Sequence, residues 1–366
     1  MHLIFYFTLY GCINGKKTEN ELIVIDINIS PPEKEIRLEE IADIEYLQLE
    51  FHDNFLFANT PHVITEKYII LSSDGDVLIF SREGKPLSKF NHIGQGPGEY
   101  FFVSELLFDE QSEEIMIKTV FDFLIYSLSG DFKRKIPLAD RMDDFYCQFV
   151  DYNAESLLFY NEYDFYPSPF TFISKQDGSV VDSVIIPKGE AIDLFVFSQD
   201  RSSIGFTKSY NIVKYRDGFL LADFSLDTIY YLSQERRLSP VLVRTPNVQS
   251  MNPVIFLNNF IEAGNYIFFT TVTVKDQLPK TYLMREQKTG SIFRQHITFN
   301  DYKGKDITLS AATIANTHDS KLGFIALSLT ELQDANRENR LSGRLKELVD
   351  NSDKDGNDIY MLLHFK

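Results

Sequence analysis

Chemistry needs polar groups held at fixed spacing, and this chain offers few such sets. The first is Gly94-Gln95-Gly96-Pro97-Gly98-Glu99-Tyr100, where three glycines could let backbone N–H groups approach an anion. A phosphate cradle of that kind requires a helix to follow, with its first N–H groups aimed at the ligand. Here Pro97 removes a donor, the next residues (EYFFVSELLF) have strand character, and no Lys-Ser/Thr pair follows. The segment reads as a tight crossing between strands, with Gln95, Glu99 and Tyr100 as the groups that could meet a ligand. The second set is Tyr160-Asn161-Glu162-Tyr163-Asp164-Phe165-Tyr166-Pro167. Rings, an amide and carboxylates together suit recognition of a sugar or peptide, and Asn161 and Tyr163 are its candidate ligand contacts. Rings that merely cover the edge of a core would produce the same composition.

Other chemistries lack their residues. The seven histidines are scattered, without H-E-x-x-H or Cys/His spacing, so no preformed metal site is expected. No G-x-S-x-G elbow occurs. Asp353-Lys354-Asp355-Gly356-Asn357-Asp358 echoes a calcium loop but lacks its ordered ligand spacing, and reads as a solvated turn. No cofactor is expected. The reading is a non-catalytic binder of a glycan, a peptide or an envelope protein. The alternative is a polysaccharide lyase or hydrolase, which requires convergent carboxylates or a His–carboxylate pair in a deep channel.

Charge and cysteine usage narrow the setting. Lys and Arg number 36 against 53 Asp and Glu, a net charge of −17. Without a basic stripe such a chain is a poor partner for nucleic acid, whose affinity comes mainly from phosphate neutralisation. No apolar run of about 18 residues follows the N-terminus, so no internal transmembrane helix is expected. The first cysteine, Cys12, ends the apolar segment MHLIFYFTLYGC, which has the character of a lipoprotein signal cut before Cys12. Residues 1–20 are then signal and tether, 21–366 the folded domain, and the protein a lipid-anchored monomer of the bacterial envelope. Cys147, beside Tyr146, reads as a small buried hydrophobe.

These residues must be positioned by a repeated unit. Leu78–Phe90, Leu124–Ile136, Thr171–Val184, Ile229–Leu242 and Tyr282–Gln295 are each an apolar strand, a polar turn and a second strand. Gly84, Gly130, Gly178 and Gly290 fill the turns, and the fourth copy carries Glu235-Arg236-Arg237 instead. Two further strand-like runs precede each copy. Four strands in a period of roughly 40 to 55 residues is the pattern of a β-propeller blade. The tail supplies only two strands of a sixth blade, Lys321–Ser328 and Asp358–Phe365. Ile44–Phe51 is spare at the other end, as is Leu22–Ile29, and Ile44–Phe51 is expected to close the ring. The expected fold is therefore all-β: six four-stranded antiparallel blades, the last closed by the N-terminal strand. Leu341, Leu345 and Leu348 predict an amphipathic helix inserted in that last blade.

Asn91-His92-Ile93-Gly94-Gln95-Gly96-Pro97-Gly98-Glu99-Tyr100 resembles the GQGPGEY hallmark of bacterial six-bladed lipoprotein propellers related to NHL-repeat proteins. IADIEYLQLEF (41–51) and NDIYMLLHFK (357–366) are similar to that family's flanking strands. The resemblance implies the fold and an envelope address, and no chemistry.

Overall fold

The middle strands of the repeats are apolar on both sides. Asp76–Ser81 buries four consecutive residues, Val77 to Phe80, and Glu114–Lys118 buries all five. A sheet facing water on one side would alternate; these sheets are covered on both. The computed structural model describes residues 22–50, 55, 61–103, 105–138, 148–161, 168–187, 192, 196–197, 204–205, 210–275, 278–353 and 356–366. Cys12, Cys147 and Tyr163 lie outside them.

Six antiparallel sheets form a ring. Counting strands outward from the axis, blade one is Val63–Ile64, Tyr68–Ser73, Asp76–Ser81 and Pro86–Asn91. Blade two is Glu105–Asp109, Glu114–Lys118, Asp122–Ser127 and Phe132–Pro137. Blade three is Gln148–Asp151, Ser156–Tyr160, Phe170–Ser174 and Val180–Ser183. Blade four is Ile212–Tyr215, Gly218–Leu221, Thr228–Leu232 and Leu238–Thr245. In blade five, Ile255–Leu257 and Ile261–Ala263 share the inner edge of Tyr266–Thr273, followed by Lys280–Glu286 and Ile292–Thr298. In blade six, Leu322–Leu327, Ile359–Phe365 and Ala42–Gln48 are regular, and the irregular segment 314–318 lies beside only the start of Leu322–Leu327, where Thr317 Oγ1 donates to Leu322 O.

The core is a set of wedges between neighbouring blades. Ile70, Val77 and Ile79 of blade one pack against Leu106, Phe108 and Ile115 of blade two. The alternate residues of blade one, Ile69, Leu78 and Phe80, pack against Tyr360 and Leu362 of blade six. Period-two alternation thus sends successive side chains to different interfaces.

Turn chemistry follows from backbone angles. Gly84, Gly130, Gly178 and Gly290 have φ of +88°, +89°, +73° and +74°. The fourth copy meets the same demand with Arg236 at φ +59°, a left-handed residue costing about 1–2 kcal/mol. Its guanidinium lies 4.1 Å above the Phe172 ring and 3.1 Å from Asp182, both in blade three.

Closure is double. Ala42–Gln48 pairs antiparallel with Ile359–Phe365, as the spare-strand argument requires. At the inner edge, Ile64 N–H donates to Asn316 O (2.8 Å) and His318 N–H to Ile64 O (3.3 Å), a parallel link between blades one and six. The rest of the N-terminal segment wraps the outside. Ile23–Asp26 adds a parallel fifth strand to blade four, and Glu33–Arg37 adds one to blade five. The second of these, EKEIR, has no apolar alternation. It buries only Ile36 and leaves its charges at the rim, as edge strands do. In place of one inserted helix there are two, Leu329–Arg337 and Gly343–Asn351. Leu345 is buried in the second, Leu341 lies in the link before it, and Leu348 is partly buried.

Candidate functional site

The Gly94–Tyr100 crossing is closed upon itself. Gly94 N–H donates to Tyr100 O (3.1 Å), Tyr100 N–H to His92 O (3.0 Å), and Gly96 N–H to the Glu99 carboxylate (2.7 Å). Tyr100 is buried, and its hydroxyl donates to Gly75 O (2.8 Å) while accepting from His92 N–H (3.1 Å). Blade two grips the other side: Tyr126 O–H donates to Gly98 O (2.7 Å), and His92 Nε2–H donates to Gly130 O (2.8 Å). The backbone groups that an anion would need are largely engaged within the fold. Gln95 and Glu99 are exposed at the tip. Asn161 is buried at the end of blade three's second strand, where its N–H donates to Pro169 O (2.9 Å). Among the described residues no contact joins Asn161 to the crossing, and Tyr163 lies outside them.

A denser polar group sits at the C-terminal ends of the inner strands, the end of the channel away from the crossings. Asp109 ends the inner strand of blade two, Asp151 ends that of blade three, and Lys214 is next to last in that of blade four. Blade six contributes His318, just beyond its parallel link to Ile64. The strands are held in step by amide side chains. Gln148 Nε2 donates to Ile212 O (2.8 Å) and its Oε1 accepts from Ile212 N–H (2.9 Å), which brings Asp151 level with the end of Ile212–Tyr215.

Lys175, from the outer hairpin of blade three, reaches in between the two aspartates. Its ammonium is 2.7 Å from Asp109 Oδ2 and 2.8 Å from Asp151 Oδ1, and its side chain is 8 % exposed. The two carboxylates are not equivalent. Burial pushes Asp109 up, but the hydrogen bond and charge of Lys175, with help from Ser112, hold it below the usual range. Burial also pushes Asp151 up, and there it wins over the opposing influence of Lys175, whose ammonium Asp109 shares. His318 Nδ1 stands 3.3 Å from Glu110, and that hydrogen bond keeps the Glu110 carboxyl low against partial burial. Lys214 makes no ion pair among the described residues; its ammonium lies 4.7 Å from the centre of the Phe219 ring. Burial pulls its pKa down, although Asp151, Asp217 and Asp319 oppose the shift.

This belt can hold a ligand through Lys214, Asp151 and the His318–Glu110 pair. It does not offer two free carboxylates, because Lys175 engages both. Among the described residues no group of three His, Cys, Asp or Glu is placed to hold a metal ion. Reading motifs along the chain misses the belt. The available signal was positional: an ionisable residue recurring at the end of the first strand of successive blades.

The ring defines a six-bladed β-propeller. The chain belongs to the family described as a domain of unknown function, DUF4934, which matches residues 22–364. No curated protein matches it. Among solved structures it is similar to a Bacteroides fragilis protein described as exported, with 14 % identity and a TM-score of 0.65, covering 94 % of this chain and 100 % of that one. It is also similar to a DUF4221-family member from Bacteroides vulgatus, with 10 % identity and a TM-score of 0.50, covering 89 % and 98 %. At such identities the likeness concerns the fold.

Proposed function

We propose that the protein is an exported propeller, held on the bacterial envelope through Cys12, that binds a glycan, peptide or envelope protein at the inner-strand end of its channel. The exported description of the Bacteroides fragilis structure supports the address, as does the apolar segment before Cys12. A kinship with NHL-repeat propellers, suggested by the GQGPGEY run, belongs to the same proposal.

One observation carries the binding role. Lys214 is a half-buried cation with no carboxylate partner among the described residues, in a belt whose neighbouring charges are paired. Desolvating a charge without pairing it costs stability, and such a cost persists where a ligand supplies the missing partner. Binding suits the belt better than hydrolysis, since Lys175 occupies the space between its two aspartates. The His318–Glu110 pair is the feature that favours the second reading, a polysaccharide lyase or hydrolase. Glycan and peptide arrays probed with wild type, Lys214→Met and Lys214→Arg test the site. Ligands held at the belt should be lost with Met and partly kept with Arg. The assignment is overturned if every arrayed ligand of the wild type is kept in Lys214→Met, and turnover of an arrayed glycan would establish the second reading. Release of Cys12→Ala from the membrane fraction tests the anchor.

A further inference from the structure

Blade six has a gap at its inner edge. Segment 314–319 covers that edge only at one end, where Leu322 N–H donates to Asp319 O (3.1 Å) and Leu322 O accepts from Thr317 Oγ1 (2.9 Å). The strand register decides which backbone groups face the gap. Leu322 lies opposite His364, and Phe365 N–H donates to Lys321 O at 2.8 Å. Gly323, Ile325 and Leu327 therefore exchange their hydrogen bonds with Ile359–Phe365. The alternate residues, Phe324 and Ala326, turn N–H and C=O the other way. Among the described residues neither finds a hydrogen-bond partner on that side. A cavity of about 290 Å³ opens beside Ala326, lined by Ile325–Ser328, by Tyr302 and Lys305–Thr308, and by Glu331 and Leu332 of the first helix.

We propose that this gap is a docking slot for an extended peptide segment of a partner protein, which supplies the missing first strand of blade six beside Phe324–Ala326. Its location is separate from the channel-end belt. The chemistry of the edge selects the occupant. Two N–H and two C=O groups, repeating every second residue at about 6.6 Å, are matched in full by another extended backbone. A compact sugar or metabolite does not reproduce that repeat. The chain already treats its other edges in this way, adding Ile23–Asp26 to blade four and Glu33–Arg37 to blade five. The walls fit alternating side chains: Ile307, Leu327 and Leu332 offer an apolar floor to one residue, and the Lys305–Glu331 pair (3.1 Å) a charged rim to its neighbours.

Random hexapeptides displayed on phage and selected against the full chain, then synthesised, provide the probe. The expected binders slow hydrogen exchange of the Phe324 and Ala326 amides in the wild-type protein. Methylating backbone nitrogens at alternate peptide positions should weaken binding at least about tenfold, and methylating the intervening ones much less. Ala326→Pro should weaken it similarly while Lys214→Met leaves it unchanged. If Ala326→Pro fails to fold, the exchange and methylation measurements decide. The proposal is overturned if no sequence is enriched, if enriched peptides leave those two amides unprotected, or if binding ignores backbone methylation. A small molecule that occupies the cavity where peptides do not would also overturn it.

Discussion

Replacing Lys175 with Met should remove about 3–5 kcal/mol of folding stability near neutral pH. The methionine keeps most of the length of the stem, so packing changes little and the loss is electrostatic. The wild-type ammonium stands 2.7 Å from Asp109 and 2.8 Å from Asp151, with side chains 8 %, 11 % and 24 % exposed. Without it two largely desolvated carboxylates face one another, and a like charge at that range disfavours ionising both. Asp151, already pushed up by burial, should then hold its proton to higher pH. The sign follows from linkage: a carboxyl whose folded pKa lies above its unfolded value of 3.8 binds its proton more tightly when folded. The variant should therefore recover stability as pH falls through that raised pKa, and between about pH 7 and about pH 5 by about 1.4 kcal/mol for each unit by which the pKa lies above about 5. Asp109 acts oppositely in the wild type. Its depressed pKa contributes stability that is present above 3.8 and lost as pH falls through the lower folded value. Urea unfolding of both proteins at the two pH values measures this. Asp151→Asn added to Lys175→Met should restore part of the loss. A deficit under about 1 kcal/mol, equal at both pH values, would refute the reasoning.

Other substitutions test the frame. Gly98→Val should cost about 2 kcal/mol or more, since Gly98 has φ +78° and a Cβ there would lie 2.7 Å from the Phe132 ring; thermal melts read it. Gly96→Val should cost much less, because its φ is not left-handed and its nearest neighbour is the movable Glu99 carboxylate at 3.1 Å. At Arg236, Gly should be more stable than Ala by about 1 kcal/mol in urea unfolding, since both lose the blade-three contacts and only Ala keeps the strained φ. Ile25→Ala should destabilise by about 2–4 kcal/mol, because Ile25 is fully buried where the added strand meets blade four. A melting temperature unchanged by that substitution would mean the outer strand is not integral to the ring.

The parts of the fold that were legible are local. Each hairpin carries its own turn residue and alternation, so Gly84, Gly130, Gly178 and Gly290 announce the repeat. Arg236 hides one copy by taking glycine's backbone angle. Counting strands exposed the missing outer strand, and Ala42–Gln48 supplies it. Glu33–Arg37 left no trace because an edge strand covered on one side can be almost wholly charged. The helical insertion was placed correctly, but its leucine spacing runs across the Leu341 link and so suggested one helix rather than two.

The site was illegible for a different reason. Asp109, Asp151 and Lys214 share no spacing; they share a place, the end of an inner strand, and the inner strands are short and vary in length, while His318 comes from an irregular segment. Aligning copies on the outer hairpin, where the glycines are, lets the inner ends drift out of register. Lys175 obscures the belt further, because it comes from an outer hairpin turn and reads there as one more solvated lysine. It is nonetheless only 8 % exposed and bridges two blades. The GQGPGEY run shows the converse: a dense motif whose polar groups are mostly spent joining blades one and two. In a ring of repeats, unusual local sequence marks where blades must be joined, whereas a binding site is assembled from ordinary residues at equivalent positions. The testable consequence is that Gln95→Ala and Glu99→Ala should leave array binding unchanged, with Glu99→Ala costing about 0.5–1.5 kcal/mol through its lost Gly96 hydrogen bond. Lys214→Met should abolish binding at the belt without lowering the melting temperature. Loss of binding in Gln95→Ala or Glu99→Ala, with Lys214→Met still active, would move the site to the crossing.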